Sequence, residues 1–210
     1  MTYLQLVNKV LVRLRENEVS TVSENNYSKL IGEYVNDAKR DVQNAWDWTG
    51  LRNTLTVDTQ ANVFNYVLTD ADNTIKILDV TNDSQNCFLR YQTSRWFDEA
   101  FLDFPSVPKG TTQFYSFNGI NGVDLYPIPD AEYTLRFNVV LRTKDFTADT
   151  DVLTVPSTPV IQLATAMAAR ERGETGGASA AELFAIADST LADAIAMDAA
   201  LHPEETIWYS

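Results

Sequence analysis

Pairs of acidic side chains come closest, in this chain, to the spacing of a catalytic or metal-binding site. Asp98-Glu99 and Asp149-Thr150-Asp151 each bring two carboxylates together. Two carboxylates about a cleft suit general acid–base catalysis, and carboxylate oxygens are ligands for calcium. Neighbouring acids in polar loops are more often solvated turn residues, and a calcium loop needs further oxygen ligands at fixed spacing. We therefore predict neither an active site nor a metal site here.

Histidine and cysteine chemistry is limited by composition. The 210 residues include one histidine, His202, and one cysteine, Cys87. A single histidine near the C-terminus supplies neither a Ser-His-Asp triad in the core nor a histidine zinc site. A lone thiol forms no intramolecular disulfide and is usually inert without a basic neighbour. We therefore predict a protein that is not an enzyme and holds no cofactor.

The charge of the chain argues against binding nucleic acid. The formal net charge is −13, and a surface of that sign repels phosphate. Beyond Arg172 there is no lysine or arginine, and the acids there are Glu174, Glu182, Asp188, Asp193, Asp198, Glu204 and Glu205. This region is either a solvated acidic helix that keeps the protein soluble or a surface that must not bind passing DNA.

Apolar residues at helical spacing predict helices over 2–16, 23–48 and 158–172. An alanine-rich helix follows Gly173–Gly177 and stops at His202-Pro203. In the second helix we expect the charged residues to lie largely off the apolar stripe; they are Glu33, Asp37, Lys39, Arg40 and Asp41. The N-terminus has no cleavage-site pattern and no apolar run reaches membrane-spanning length, so we expect a soluble protein.

Alternating polar and apolar residues predict strands between the helices. Segments 51–58 and 61–68 are separated by two residues, which favours a hairpin. A second tight turn is predicted at Gly119 to Gly122. The fold class is therefore α+β: N- and C-terminal helix pairs form a helical bundle, with a central antiparallel sheet or sandwich of about six strands. We expect one domain over 1–172, with the β-region 51–155 inserted, and a C-terminal helix and extended tail over 173–210.

Aromatic residues allow two interpretations, a sugar-stacking platform or core packing. The set is Trp46, Trp48, Trp96, Phe97, Phe101, Phe104, Tyr115 and Phe117. Helical or strand spacing favours core packing. Ile207, Trp208 and Tyr209 differ because they lie in a predicted tail, where they either dock on a partner or fray.

Several segments occur together in an order typical of a known family. They are Ala45-Trp46-Asp47-Trp48, Leu55-Thr56-Val57, Asn65-Tyr66-Val67-Leu68, Ile75-Lys76-Ile77-Leu78-Asp79-Val80, Asp124-Leu125-Tyr126-Pro127-Ile128-Pro129, Leu153-Thr154-Val155-Pro156 and Ala164-Thr165-Ala166-Met167-Ala168-Ala169. Their order and spacing over residues 1–172 resemble the head–tail adaptor (connector) proteins of tailed bacteriophages, including upper tail-tube proteins.

The resemblance implies a structural virion protein, assembled in the host cytoplasm, that forms a ring, typically dodecameric, between the portal and the tail. DNA would pass through the ring without specific binding, and no membrane would be involved. Candidate channel-facing acids are Glu182, Asp188, Asp193 and Asp198. Candidate partner-binding residues are Ile207, Trp208, Tyr209, Trp96, Phe97 and Phe101. The alanine-rich helix and the segment 96–104 are candidate subunit faces.

Two other functions remain open at this point. Another neck or baseplate protein would bind a tail tube or fibre and not a portal. A glycan-binding module would need exposed tryptophans beside paired acids in one cleft, and the missing export signal argues against it.

Overall fold

In the computed structural model, helices and strands lie mainly in different segments of the chain. The structure describes residues 1–69, 73–102, 107–119, 121–173 and 178–202. These residues form five α-helices and eight strands, which confirms the α+β class. The helices are α1 (Tyr3–Arg13), α2 (Asn26–Ala45), α3 (Ser94–Leu102), α4 (Ser157–Glu171) and α5 (Ala178–Ala199). The strands are β1 (Arg52–Asp58), β2 (Asn65–Val67), β3 (Thr74–Asn82), β4 (Cys87–Phe88), β5 (Arg90–Tyr91), β6 (Phe114–Asn118), β7 (Gly122–Tyr126) and β8 (Thr134–Arg142).

The chain divides into two units. The helical unit contains Met1–Leu51 and the segment from Asp145 onward, and the strand unit is Arg52–Lys144. In the helical unit, α1, α2 and α4 pack against one another and α5 packs against α4. The residues buried between these helices are mostly valine, leucine, isoleucine and alanine, at the spacing that the sequence predicted.

The strand unit contains two four-stranded sheets. One has the order β1-β8-β3-β4 and is antiparallel, and the other has the order β2-β7-β6-β5, in which β5 runs parallel to β6. Residues of both sheets form one buried cluster: Ile77, Val80, Leu89, Tyr115, Val123, Leu125, Leu135, Phe137 and Val139. The predicted antiparallel sheet or sandwich of about six strands is therefore wrong in strand number, since eight strands form two sheets, and in being wholly antiparallel, since β5 runs parallel to β6.

The two predicted turns have different outcomes. The turn at Gly119 to Gly122 is confirmed, because β6 and β7 pair from Asn118 opposite Gly122, and both Gly119 and Asn121 have positive φ. The hairpin of 51–58 with 61–68 is wrong. β1 pairs with β8 and β2 pairs with β7, so the two segments lie in different sheets. Alternating polar and apolar residues predict that a segment forms a strand, but they do not predict which other strand that segment pairs with.

The ends of the first two helices also differ from the prediction. α1 is capped by Thr2 and stops before Arg15, whose φ of 59° is left-handed. α2 begins after Asn25 and not at 23, because Asn25 caps it: Asn25 Oδ1 accepts a hydrogen bond from Ser28 N, and Ser28 Oγ accepts one from Asn25 N. It ends at Ala45, before the extended backbone of Trp46.

Candidate interaction surfaces

The first candidate surface is α5, which has one covered and one exposed face. On the covered face Ala187 is buried, and the Arg170 guanidinium of α4 lies 5.1 Å from the ring centroid of Phe184. On the other face Ile186 is 47% exposed and Met197 is 76% exposed. A helix this apolar is normally covered on more than one side. The exposed face of α5 is therefore a candidate contact surface.

The four predicted channel-facing acids of α5 do not share one environment. Glu182, Asp188 and Asp193 are exposed. Asp198 is half-buried, and its Oδ2 accepts hydrogen bonds from Trp46 Nε1 and from Thr49 N, both at 3.1 Å. A carboxylate that accepts two N–H groups is held in place by them. Asp198 thus ties the end of α5 to the chain that follows α2.

The end of α5 also borders a groove. Its volume is about 550 Å³, and its lining is mostly apolar, with Pro156 and Pro159 from the start of α4 and Met197 and Leu201 from the end of α5. Asp193 lines its rim. His202, which follows, lies 2.9 Å from the hydroxyl of Thr49 through Nε2. The histidine thus contacts a hydroxyl and belongs to the tie between α5 and the end of α2.

The predicted partner-binding aromatics of α3 pack within the strand unit. Tyr126 lies at their centre, with ring centroids of Trp96, Phe97 and Phe101 at 5.4, 6.1 and 5.7 Å from its own. Edge-on contacts of this kind add to the energy of burial. Phe97 is only 3% exposed, whereas Trp96 and Phe101 are half-buried. Their role toward a partner stays a prediction. Ile207, Trp208, Tyr209 and Phe104 lie outside the described residues.

In the acid pairs 98–99 and 149–151, three of the four carboxylates bind groups of the protein itself. Glu99 pairs with Arg95 one helical turn away. Asp149 Oδ1 accepts from Val22 N at 3.2 Å, and Asp151 Oδ2 accepts from the backbone N–H groups of Thr147 and Ala148. Carboxylates used in this way organise loops. Among the described residues no group of three or more histidine, cysteine, aspartate or glutamate side chains is placed to hold a metal ion.

Of the charged residues that the structure describes, Lys39 is the most buried, and its predicted position off the apolar stripe is wrong. It is 1% exposed, and its ammonium lies 4.3 Å from the ring centroid of Phe146. Burial lowers the pKa of Lys39, and the charges of Asp145 and Asp151 act in the opposite direction. The signal was in the spacing, because Val35, Lys39 and Val42 stand at i, i+4 and i+7.

A second candidate surface, on α1, was not predicted from the sequence because few residues form it. Lys9 and Arg13 are the only charged residues of α1, and both are exposed. Between them in sequence, Val12 is 54% exposed. Arg13 also donates to Gln162 Oε1 of α4 at 2.8 Å. The exposed side of α1 is therefore cationic with an apolar residue in it, in a chain that is strongly acidic overall.

Two comparisons bear on function. A family model described as SU10 adaptor protein matches residues 1–204, which include nearly the whole of both units. A search of curated proteins gave no match for the chain. Within the part of the chain described, none of the helices is both long enough and apolar enough to cross a bilayer.

Proposed function

Because the chain belongs to the SU10 adaptor protein family, a family of structural head–tail adaptors of tailed phages, we propose that it forms a ring between the portal and the tail. The observation that carries this proposal is the family match over residues 1–204. A ring of one protein needs two different complementary faces on each copy, because its contacts run head to tail around an axis. The unevenly charged helices α1 and α5 supply two such candidate faces.

The acidic character of the protein suits a wall along which DNA slides. We propose that exposed carboxylates of α5 line the DNA exit channel, where like charge disfavours tight contact with phosphates. Asp198 is the least suited of the four predicted acids, because its carboxylate already binds Trp46 and Thr49. The candidates for the channel wall are therefore Glu182, Asp188 and Asp193, which are exposed in the single chain.

Residues 207–209 and the α3 aromatics retain the proposed role of contacting the portal or the tail. Phe101 is half-buried and the neighbouring Leu102 is exposed, so this end of α3 offers apolar surface, whereas Phe97 serves the packing of the strand unit. In this arrangement the protein joins other virion parts and catalyses no reaction. The helix pairs would form the bundle of the ring body.

The test uses tail-less, DNA-filled capsids made without this protein. Purified protein is added and the capsids are sedimented. We expect co-sedimentation at about one ring per capsid, as expected for a single portal vertex with closed symmetry. A chain lacking residues 203–210 should bind the same capsids more weakly, and full binding by that chain would assign the tail no role at the portal.

The negative result is also informative. Folded protein that stays in the supernatant while the capsids sediment would contradict docking at the portal and favour a more distal part of the tail. Capsids that already carry this protein serve as the control, because their vertex is occupied and they should take up no more. Capsids emptied of their DNA serve as a second control. Protein that still co-sediments with them binds the portal and not the DNA.

A further inference from the structure

We propose that the exposed face of α5 in one copy of this chain binds the exposed face of α1 in the next copy. The inference rests on the proposed ring and specifies its subunit contact. It replaces the predicted face at 96–104, because the α3 aromatic rings pack on Tyr126 and its neighbours within the strand unit.

The α5 side of the contact is a stripe along one side of the helix. Glu182, Ile186, Asp193 and Met197 follow one another at helical spacing, and all four are exposed. The stripe thus alternates carboxylates with large apolar side chains. Near Met197 it borders the groove lined by prolines of α4, which gives an incoming apolar side chain room to enter.

The α1 side of the contact has the complementary chemistry. Lys9 and Arg13 stand one turn apart with Val12 beside them, and the helix has no acidic residue. Lys9 has no ion-pair partner in the described part of the chain. The α5 helix, in contrast, contains four acids and no cation. Two helices of opposite, uncompensated charge, each with exposed apolar residues, attract each other and exclude the pairing of like faces.

The molecule that binds each exposed face is a second copy of this chain, because within one copy α1 and α5 are each held in place by packing on other helices. α1 packs on α2 and α4, and α5 packs on α4; this packing buries the other side of each helix, with Val7, Val10 and Leu11 in α1 and Ala187 in α5. Their exposed faces therefore remain available to other molecules. An α1 face meeting an α5 face is heterologous, so after one contact the first copy still has a free α1 face and the second a free α5 face, and the contact can repeat around a ring.

This contact also changes which acids of α5 can face the channel. Glu182 and Asp193 would be covered by the neighbouring copy. Asp188 lies about 140° around the helix from Asp193, since successive residues are about 100° apart. Asp188 thus stays uncovered and remains the α5 acid best placed to face the channel.

The experiment mixes two charge-reversed chains. Chain one is Lys9→Glu with Arg13→Glu, so both of its faces are acidic. Chain two is Glu182→Lys with Asp193→Lys, so both of its faces are basic. We expect each alone to self-associate about tenfold or more weakly than the parent in sedimentation velocity, because like faces repel. A mixture should regain association in assemblies that contain both chains, because acidic α1 then meets basic α5 and basic α1 meets acidic α5.

The control carries the same change in charge as chain one, at other sites. Lys29→Glu with Arg95→Glu alters exposed residues of α2 and α3, and this chain should associate like the parent. The inference is overturned if the parent chain does not self-associate at the highest soluble concentration, if either reversed chain associates like the parent, or if the mixture does not recover. Capsid co-sedimentation is measured separately, so a ring that still docks with this contact refuted would leave the proposed function standing.

Discussion

At the scale of single residues, Asn36 shows how a polar side chain can organise a core. It is buried in α2, its Nδ2 donates to Phe146 O at 3.2 Å, and its Oδ1 accepts from Phe146 N at 2.9 Å. One amide therefore satisfies both backbone groups of a residue in the segment that precedes α4. The ring of Phe146 is held in turn by Lys39 and by Tyr3, whose ring centroid lies 5.2 Å away.

Replacing Asn36 with alanine should destabilise the helical unit. The change leaves the buried N–H and C=O of Phe146 without partners, which costs about 2–4 kcal/mol in the free energy of unfolding. Urea unfolding followed by circular dichroism in the helical band measures the loss. Asn44→Ala is the matched control, because Asn44 is exposed on the same helix. Equal stability of the two variants would contradict the assigned role.

Tyr3 should make the protein sensitive to alkali. Burial, aided by the charges of Glu33, Asp149 and Asp145, raises the pKa of Tyr3 from 10.0 to about 12. Between these values the unfolded phenol has lost its proton and the folded one keeps it, so stability falls as pH rises. The fall from this residue amounts to at most about 2.7 kcal/mol.

The comparison that isolates this effect is the parent against Tyr3→Phe, with the free energy of unfolding measured from pH 9 to pH 12. The lowered pKa of Lys39 works in the opposite direction below 10.5 and is present in both proteins, so it cancels to first order. The variant should lose less stability than the parent above pH 10. Parallel curves would contradict the burial of the phenol.

At the scale of elements, α1 and α2 approach closely at Gly32. A Cβ at this position would overlap Tyr3 Oη and would lie 2.9 Å from Val22 Cγ1. The glycine is therefore retained for space, although it weakens a helix interior by about 1 kcal/mol relative to alanine.

Gly32→Ala should lower stability by about 1–3 kcal/mol despite the better helix propensity of alanine. Combining it with Tyr3→Phe removes the overlapping oxygen and should recover part of that loss. A double-mutant cycle of unfolding free energies measures the coupling. A stabilised single variant, or a coupling of zero, would show that the two helices are farther apart.

The elements also show how far sequence reasoning reaches. The helical stripe of α2 and the β6–β7 turn were predicted because period and turn chemistry are local signals. The partner of β1 was missed because β8 lies about eighty residues later, and nothing in β1 encodes that distance. Among the candidate surfaces, α5 was predicted from its composition. The cationic side of α1 was missed because exposure of Val12 depends on which side of α1 the other helices cover.

At the scale of the whole molecule, the strand unit begins and ends at neighbouring positions. Arg52, its first residue, pairs with Val140 on β8, four residues before its last residue. The unit has its own buried cluster, drawn from both of its sheets. A segment with its own core and adjacent ends is expected to fold alone.

Residues 52–144 expressed alone should therefore give a β-type circular dichroism spectrum and a cooperative thermal transition. In the reciprocal chain, Leu51 joined to Asp145 by a short Gly-Ser linker should keep the helical signal of α1, α2, α4 and α5. Both chains are compared with the full protein. An excised segment without a transition would show that the strand unit depends on the helices.

The adjacency of Arg52 and Val140 also has an evolutionary consequence. A segment whose first and last strands pair with each other can be replaced by recombination at two crossover points. The rest of the fold does not have to change to accept the new segment. A phage lineage could in this way acquire a foreign strand unit while the helical unit stays unchanged. Homologues with similar helices and unrelated strand units would be the genomic trace of such exchange.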